Sequence, residues 1–348
     1  MLNSSKKTII CHEGELQMHF RKLMTEDTDL QWHHSSGGGS LELVELEFET
    51  ERFPFHPIYE LKPSPPQLEK LKASHSAPRP LIVTPELSDR IVAICKELGI
   101  AAMDLNGRTW LRAPGLLVDR HSLPGRAFSY LHEPRDIFVG KSARIVRCLL
   151  ADRERIWTQG GIVPRCGASS GLVSRIIKHL VHQGFAEKTS AREFRLSDWQ
   201  GLLDEWAQND RFAKRTRTTQ YAGFFGPLPA LAQHIQQWGA AENVPLAFTQ
   251  WIAAWIRHPF TEPVVCSAYV ERLPDAAMLE ALGLRPVAEG GKLWLHVPDD
   301  PGVLSETQKC GDLTLVSDAQ IYLDLQRTGL RGPEAASALL EWAGFCKT

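Results

Sequence analysis

Apolar and acidic residues alternate imperfectly from Leu41 to Phe48, the period-two pattern of an exposed strand. Pro54 and Pro57 then interrupt the chain, and Ile58 to Lys62 reads as a second short strand. Pro63, Pro65 and Pro66 end it, and Gln67 to Ala73 can start a helix. Pro80 to Thr84 has the continuous apolar pattern of a buried strand. The next apolar positions, Leu87, Ile91, Ile94, Cys95 and Leu98, recur at helical spacing until Gly99 stops them. Ile100 to Leu105 predicts a strand that turns at Asn106-Gly107, with Trp110 to Val118 as its hairpin partner. Strands alternating with helices imply a small α/β or α+β domain over residues 1–138.

From residue 139 the period changes. Lys141 to Ala151 is amphipathic, with Ile145, Val146, Leu149 and Leu150 on one side. A short helix from Thr158 to Arg165, a Cys166-Gly167 turn and a third helix from Ser170 to Gln183 follow. Gly184 ends that helix, and Phe185 to Leu196 reads as a hairpin with its tip at Thr189 to Arg192. This order is that of a winged helix-turn-helix, assigned to residues 139–207. In the third helix Leu172, Val173, Ile176, Ile177 and Leu180 form a buried face. Ser170, Gly171, Ser174, Arg175, Lys178 and His182 form the other. A greasy back with small, polar and basic residues in front is what a recognition helix needs in a major groove.

Trp199 to Ala207 reads as helical, residues 199–217 as a bridge, and the basic run Arg211 to Arg217 as either a DNA-backbone contact or a solvated linker. A third, mixed α/β domain fills 208–348. Its expected helices are 227–238, 248–256 and 333–343, and its expected strands include Val264–Val270 and Lys292–His296. The fold class is therefore α+β in three parts.

Charge sharpens the picture. The formal net charge of the 348 residues is −2, but residues 141–198 hold 11 Lys+Arg against 5 Asp+Glu. A local surplus of six in a neutral chain is the electrostatic footprint of a nucleic-acid module. Arg175, Ser174 and Ser170 are the expected base readers. Lys178, Lys188 and Arg192 are the expected phosphate contacts, with His182, Lys214 and Arg215 as further DNA-facing residues. Seven cysteines, at 11, 95, 148, 166, 266, 310 and 346, have neither the count nor the spacing of a disulfide framework or zinc clip, and reduced thiols in a cytoplasm are expected. No run approaches the ~18 apolar residues of a membrane span, and no signal peptide is expected. His33-His34 reads as a loop pair. His179 and His182, at i and i+3, read as phosphate or solvent contacts rather than metal ligands. The ten tryptophans read as packing residues, and Asp104 as turn chemistry. No phosphate loop, nucleophile elbow or zincin motif is present, so no cofactor is expected.

The segment Trp157-Thr158 … Ala168-Ser169-Ser170-Gly171-Leu172-Val173-Ser174-Arg175 … Gly184-Phe185, with Asp198 to Ala207 after it, resembles the winged helix of AbiEi-family antitoxins. Val316 to Leu325, with Arg331-Gly332 and Glu334 to Ala336, resembles the end of that family. The resemblance implies an autorepressing transcriptional regulator, with double-stranded DNA as its partner. It also implies a nucleotidyltransferase-like toxin as a second partner. A homodimer is expected because such regulators read two half-sites. The N-terminal region resembles a restriction-endonuclease-like fold, with Glu60-Leu61-Lys62 as an E-x-K half-site. That implies a Mg²⁺-dependent nuclease as the alternative function, in which Glu45, Glu47 or Glu49 would have to replace the missing aspartate. A third alternative is an antitoxin that acts only by gripping its toxin.

Overall fold

The computed structural model describes residues 8–36, 42–71, 78–130, 136–224 and 226–347. The chain is of mixed α+β class and divides into two compact units, Met1–Glu133 with His182–Gly184, and Pro134–Val181 with Phe185–Thr348.

The first unit opens with β1 (Thr8–Ile10) and α1 (Glu13–Glu26). A seven-stranded sheet follows, in the order β2 (Gln31–Ser36), β3 (Glu42–Phe48), β4 (Glu51–Tyr59), β5 (Arg79–Thr84), β6 (Ala101–Asp104), β7 (Thr109–Ala113) and β8 (Leu116–Arg120). Strands β4, β5 and β6 are parallel and all other neighbours are antiparallel. β9 (Phe128–Tyr130) pairs with β1. α1 buries Leu16, Phe20 and Leu23 against one face of the sheet with Val44, Leu46, Phe55, Leu81 and Val83. On the other face α2 (Pro65–Lys70) and α3 (Asp89–Leu98) cover Ile82 and Ala102. α3 starts where Ser88 Oγ accepts from the Ile91 N–H at 3.3 Å and ends at Gly99, whose φ of 69° needs glycine.

Several expectations are corrected here. Pro54 and Pro57 do not break the chain but lie within β4. β3 covers only residues 51–55 of that strand and β5 only 55–59. The odd separation of the prolines turns their ring nitrogens to opposite edges, so each can face the side with no ladder to complete. His33 and His34 are not in a loop but on β2, opposite Glu45 and Val44. Trp110 to Val118 is two strands turning at Gly115, not one. α1 was not expected at all. Of the glycine-serine stretch 35–40, residues 37–40 lie outside the described residues, as do 72 and 73 of the helix expected at 67–73.

The second unit begins with α4 (Gly140–Ala151), β10 (Trp157–Thr158), α5 (Gln159–Cys166) and α6 (Ser170–His182). β11 (Ala186–Lys188) and β12 (Glu193–Leu196) form the hairpin, and β10 adds to it in a three-stranded sheet. α7 (Trp199–Asn209) and α8 (Phe212–Arg215) lead into a second seven-stranded sheet. It contains β13 (Thr216–Ala222), β14 (Leu246–Thr249), β15 (Cys266–Val270), β16 (Arg285–Val287), β17 (Leu293–Pro298), β18 (Gln308–Cys310) and β19 (Leu313–Leu315), ordered β16-β13-β17-β15-β14-β19-β18. The helices are α9 (Leu228–Ala241), α10 (Gln250–Arg257), α11 (Ala276–Ala281), α12 (Asp318–Leu325) and α13 (Gly332–Glu341). Two expectations change. The bridge expected at 199–217 ends inside the sheet, because Thr216 opens β13. The helix expected from 248 begins at 250, because Phe248 and Thr249 complete β14.

Period-two alternation gives this sheet two unlike faces. One carries Leu293, Leu295, Cys266, Ala268, Leu246 and Phe248, all buried, and α9 packs its Leu231, Ile235 and Trp238 there. The other carries Thr218, His296, Ser267, Tyr269 and Thr249. It is covered around Asp324 of α12, a wholly buried carboxylate. Asp324 Oδ1 accepts from Arg215 at 2.7 Å, Gln320 Nε2 at 2.8 Å and the Tyr269 hydroxyl at 3.1 Å, and Oδ2 accepts from Thr249 Oγ1 at 2.5 Å. Residues of α4 to α7 and of the C-terminal sheet belong to one continuous hydrophobic core, from Ile137 to Cys346. The boundary expected at 207/208 is therefore not a boundary of the fold.

Asp104 gives the first unit a pH signature. Its carboxylate accepts from the Leu87 and Arg108 N–H groups at 2.9 Å each, holding the turn at Asn106-Gly107. Burial nevertheless raises its pKa to about 6. A carboxyl raised in the folded state favours folding below its unfolded pKa of about 3.9, and that contribution fades as pH rises through 6. Asp104→Asn should therefore improve relative to wild type by about 2–3 kcal/mol between pH 4 and pH 7. Urea unfolding at the two pH values measures this, and a gap that does not change with pH contradicts it.

Candidate nucleic-acid interface

The interface is built from α4, α5, α6 and the hairpin. Thr158 caps α5, its Oγ1 accepting from the Gly161 N–H at 3.2 Å. Gly167, at φ 60°, closes α5 and returns its N–H to Val163 O. Ser169 then caps α6, its Oγ accepting from the Leu172 N–H at 3.3 Å. Val173, Ile176, Ile177 and Leu180 are buried against Ile145, Leu149 and Phe185, and Leu172 is half-buried. Ser170, Gly171, Arg175 and Lys178 are exposed on the opposite side, with Ser174 half-buried beside them. Lys188 ends β11, and Arg192 stands in the exposed turn between β11 and β12.

The arginines of this region fall into two groups. Arg144 pairs with Asp300 at 2.7 Å, Arg165 with Glu306 at 2.6 Å and Arg195 with Glu187 at 2.7 Å. Arg153 and Arg155 lie over the Trp199 and Trp157 rings at 4.3 and 4.5 Å. By contrast, among the described residues Arg175, Lys178, Lys188 and Arg192 have no carboxylate within ion-pair distance. These four cations lie on the exposed stripe of α6 and on the hairpin, and neither a carboxylate nor an aromatic ring engages them among the described residues.

Glycine placement points to the same surface. Gly160 and Gly171 occupy the second positions of α5 and α6 with ordinary helical backbones, and a Cβ at either would meet nothing within 4 Å. Neither turn geometry nor packing requires glycine there, although it weakens a helix by roughly 0.5–1 kcal/mol relative to alanine. What an absent side chain does allow is close approach of an outside surface to two helix N-termini.

Two of the expected contacts turn inward. Arg215 holds Asp210 at 2.7 and 3.0 Å, Asp324 at 2.7 Å and the Tyr269 hydroxyl at 2.6 Å, so its guanidinium is spent inside the sheet layer. Its neighbour Lys214 is exposed. His182, with His179, is half-buried and already has partners within the protein.

The glutamates of β3 do not complete the E-x-K half-site. Glu45 and Glu47 lie opposite Pro54 and Arg52 of β4, six or more residues from Glu60, which is roughly 20 Å along a strand. Arg52 and His33 hold Glu47 at 3.1 and 2.9 Å, and Arg52 also approaches Glu45 at 3.6 Å. Glu49 sits in the turn beyond β3. Glu42, nearer to the Glu60 end, has Oε2 taken by Gln17 and Oε1 by Arg21. Burial and the charge of Glu13 raise the Glu60 pKa. Lys62 Nζ lies over the Tyr130 ring at 5.6 Å. Among the described residues no group of three His, Cys, Asp or Glu side chains could hold a metal.

Sequence alone could not separate Arg215 from Lys214, since only the tertiary position of Asp324 does so. The open space at Gly160 and Gly171 had a legible trace in glycine within a helical period. Gly171→Ala should raise thermal stability by about 0.5–1 kcal/mol, measured by calorimetry; destabilisation would show that this position is packed. No family model, curated protein or solved structure matches the chain.

Proposed function

We propose that this protein is a sequence-specific double-stranded-DNA-binding regulator of the antitoxin type, reading DNA with a winged helix-turn-helix. The carrying observation is that the exposed stripe of α6 and the hairpin keep Arg175, Lys178, Lys188 and Arg192 free of carboxylates, while nearby arginines are paired or stacked. Free cations on a recognition helix and its wing are what phosphates neutralise, with release of counterions. Arg175, one turn into α6, is the base reader, with Ser170 and Ser174 beside it. Lys178, Lys188 and Arg192 hold the backbone, and Lys214 extends the same charge. Gly160 and Gly171 let two helix N-termini reach phosphates. The antitoxin type, the autorepressor role, the toxin partner and the homodimer follow from the family resemblance.

The test is an anisotropy titration against DNA from upstream of the protein's own gene, at two salt concentrations, with and without Mg²⁺. Salt-sensitive binding without cleavage is expected. Arg175→Ala should lose about 1–3 kcal/mol of preference for the specific site, and Lys188→Ala should reduce the salt slope by about 1 on every sequence. Gly171→Ala should bind more weakly although it is more stable. Absence of binding to any DNA would overturn the proposal and leave the surface as a protein-contact face.

A further inference from the structure

We propose that Arg147 is a positioning residue that fixes the angle at which the C-terminal sheet layer holds the winged helix within their common core. It touches no part of the DNA-facing surface. α4 has two working faces. One, with Ile145 and Leu149, supports α6. The other sends Arg144 and Arg147 to the C-terminal elements. Arg144 pairs with Asp300, and its side chain lies so close to Gly302 that a Cβ there would come within 2.4 Å. Arg147 is buried, with Nε donating to Gln320 Oε1 at 3.1 Å and an Nη donating to the Gly302 carbonyl at 3.3 Å. Its guanidinium lies 5.4 Å from the centre of the Trp206 ring of α7, which itself stacks on Phe138.

Among the described residues no carboxylate pairs with Arg147 directly; the amide of Gln320 stands between Arg147 and Asp324. Gln320 Nε2 donates to Asp324 Oδ1, so Oε1 must face the arginine. The negative charge of Asp324 thus reaches Arg147 one amide removed, and the fork of the guanidinium accepts one geometry of α12 against α4. Burial, and the like charge of Arg215, depress the Arg147 pKa to about 10, so the position does not favour a cation. An apolar residue of similar length would avoid that desolvation. What an apolar joint lacks is direction, because hydrophobic contacts hold at many angles and a forked hydrogen-bond donor at few. Retaining the cation gives specificity of arrangement.

The effect on DNA rests on the function proposed above, whereas the effect on geometry does not. Nitroxides are placed at exposed Lys178 in α6 and exposed Glu271 after β15, in a chain carrying Cys11→Ser and Cys310→Ser. Their separation is then read by pulsed dipolar spectroscopy. Arg147→Met, which leaves Gln320 Oε1 and the Gly302 carbonyl without their donor, is expected to melt lower than the parent and to broaden a single narrow distance peak. Measured on unlabelled protein with Lys178 in place, the affinity of Arg147→Met for the specific DNA should fall about tenfold with the salt slope unchanged. A peak as narrow as in the parent overturns the proposal. If Arg147→Met does not fold, Arg147→Lys is measured in the same way, since one ammonium cannot serve Gln320 and Gly302 at the fork's angle. A parental peak in the lysine variant likewise overturns it. If the unlabelled parent, with Lys178 in place, binds no DNA, the proposed function fails and the distance measurement alone decides.

Discussion

The second unit is organised by the carboxylate of Asp324. A fully buried carboxylate is tolerated only when its lone pairs are filled, and here four donors from four elements fill them. Thr249 and Tyr269 anchor neighbouring strands, Arg215 the start of β13, and Gln320 its own helix. That demand explains why one sheet face is polar although it is covered. It also explains why the basic run at 211–217 splits, with Arg215 folding under and Lys214 staying out. His296, on the same face, has its pKa lowered to about 3 by burial and by Arg215, and so remains a neutral imidazole hydrogen-bonded to Thr218 at 2.8 Å.

Positive charge in this chain therefore serves two purposes that sequence composition does not distinguish. Arg144, Arg165, Arg215 and Arg257 are structural, each facing a carboxylate within 2.7 Å. Buried or half-buried pairs of this kind are sensitive to loss of one partner, because the other is left uncompensated. Among the described residues Arg175, Lys178, Lys188 and Arg192 contribute no such pairing, and an anionic surface would relieve their mutual repulsion.

Much of the chain was legible where a period repeated over two turns or more. The α4, α5 and α6 boundaries fell within a residue or two because caps and stops, Thr158, Gly167, Ser169 and Gly184, mark them in the sequence. The N-terminal helix was missed because His12 is an unusual cap and its exposed face mixes every polar type. β4 was missed because proline usually ends a strand, and only the staggered cover of β3 and β5 makes room for two. In the candidate site, the stripe of α6 followed from helical spacing. The inward turn of Arg215 and the distance between Glu45 and Glu60 are consequences of register and of contacts more than 100 residues apart in the first case.

The continuous core has a bearing on how such a protein can change. Ile145, Trp206, Leu231 and Phe345 share one interior, so α4 to α7 with the hairpin are not a separable cassette. Cutting the chain after residue 207 would bare the α4 and α7 surfaces that now meet the C-terminal helices, a contiguous apolar area of the kind that drives aggregation. A hybrid chain with its seam at that point would have to rebuild this interior. Single substitutions on the outer stripe of α6, where Ser170, Gly171, Arg175 and Lys178 are exposed, leave that interior untouched.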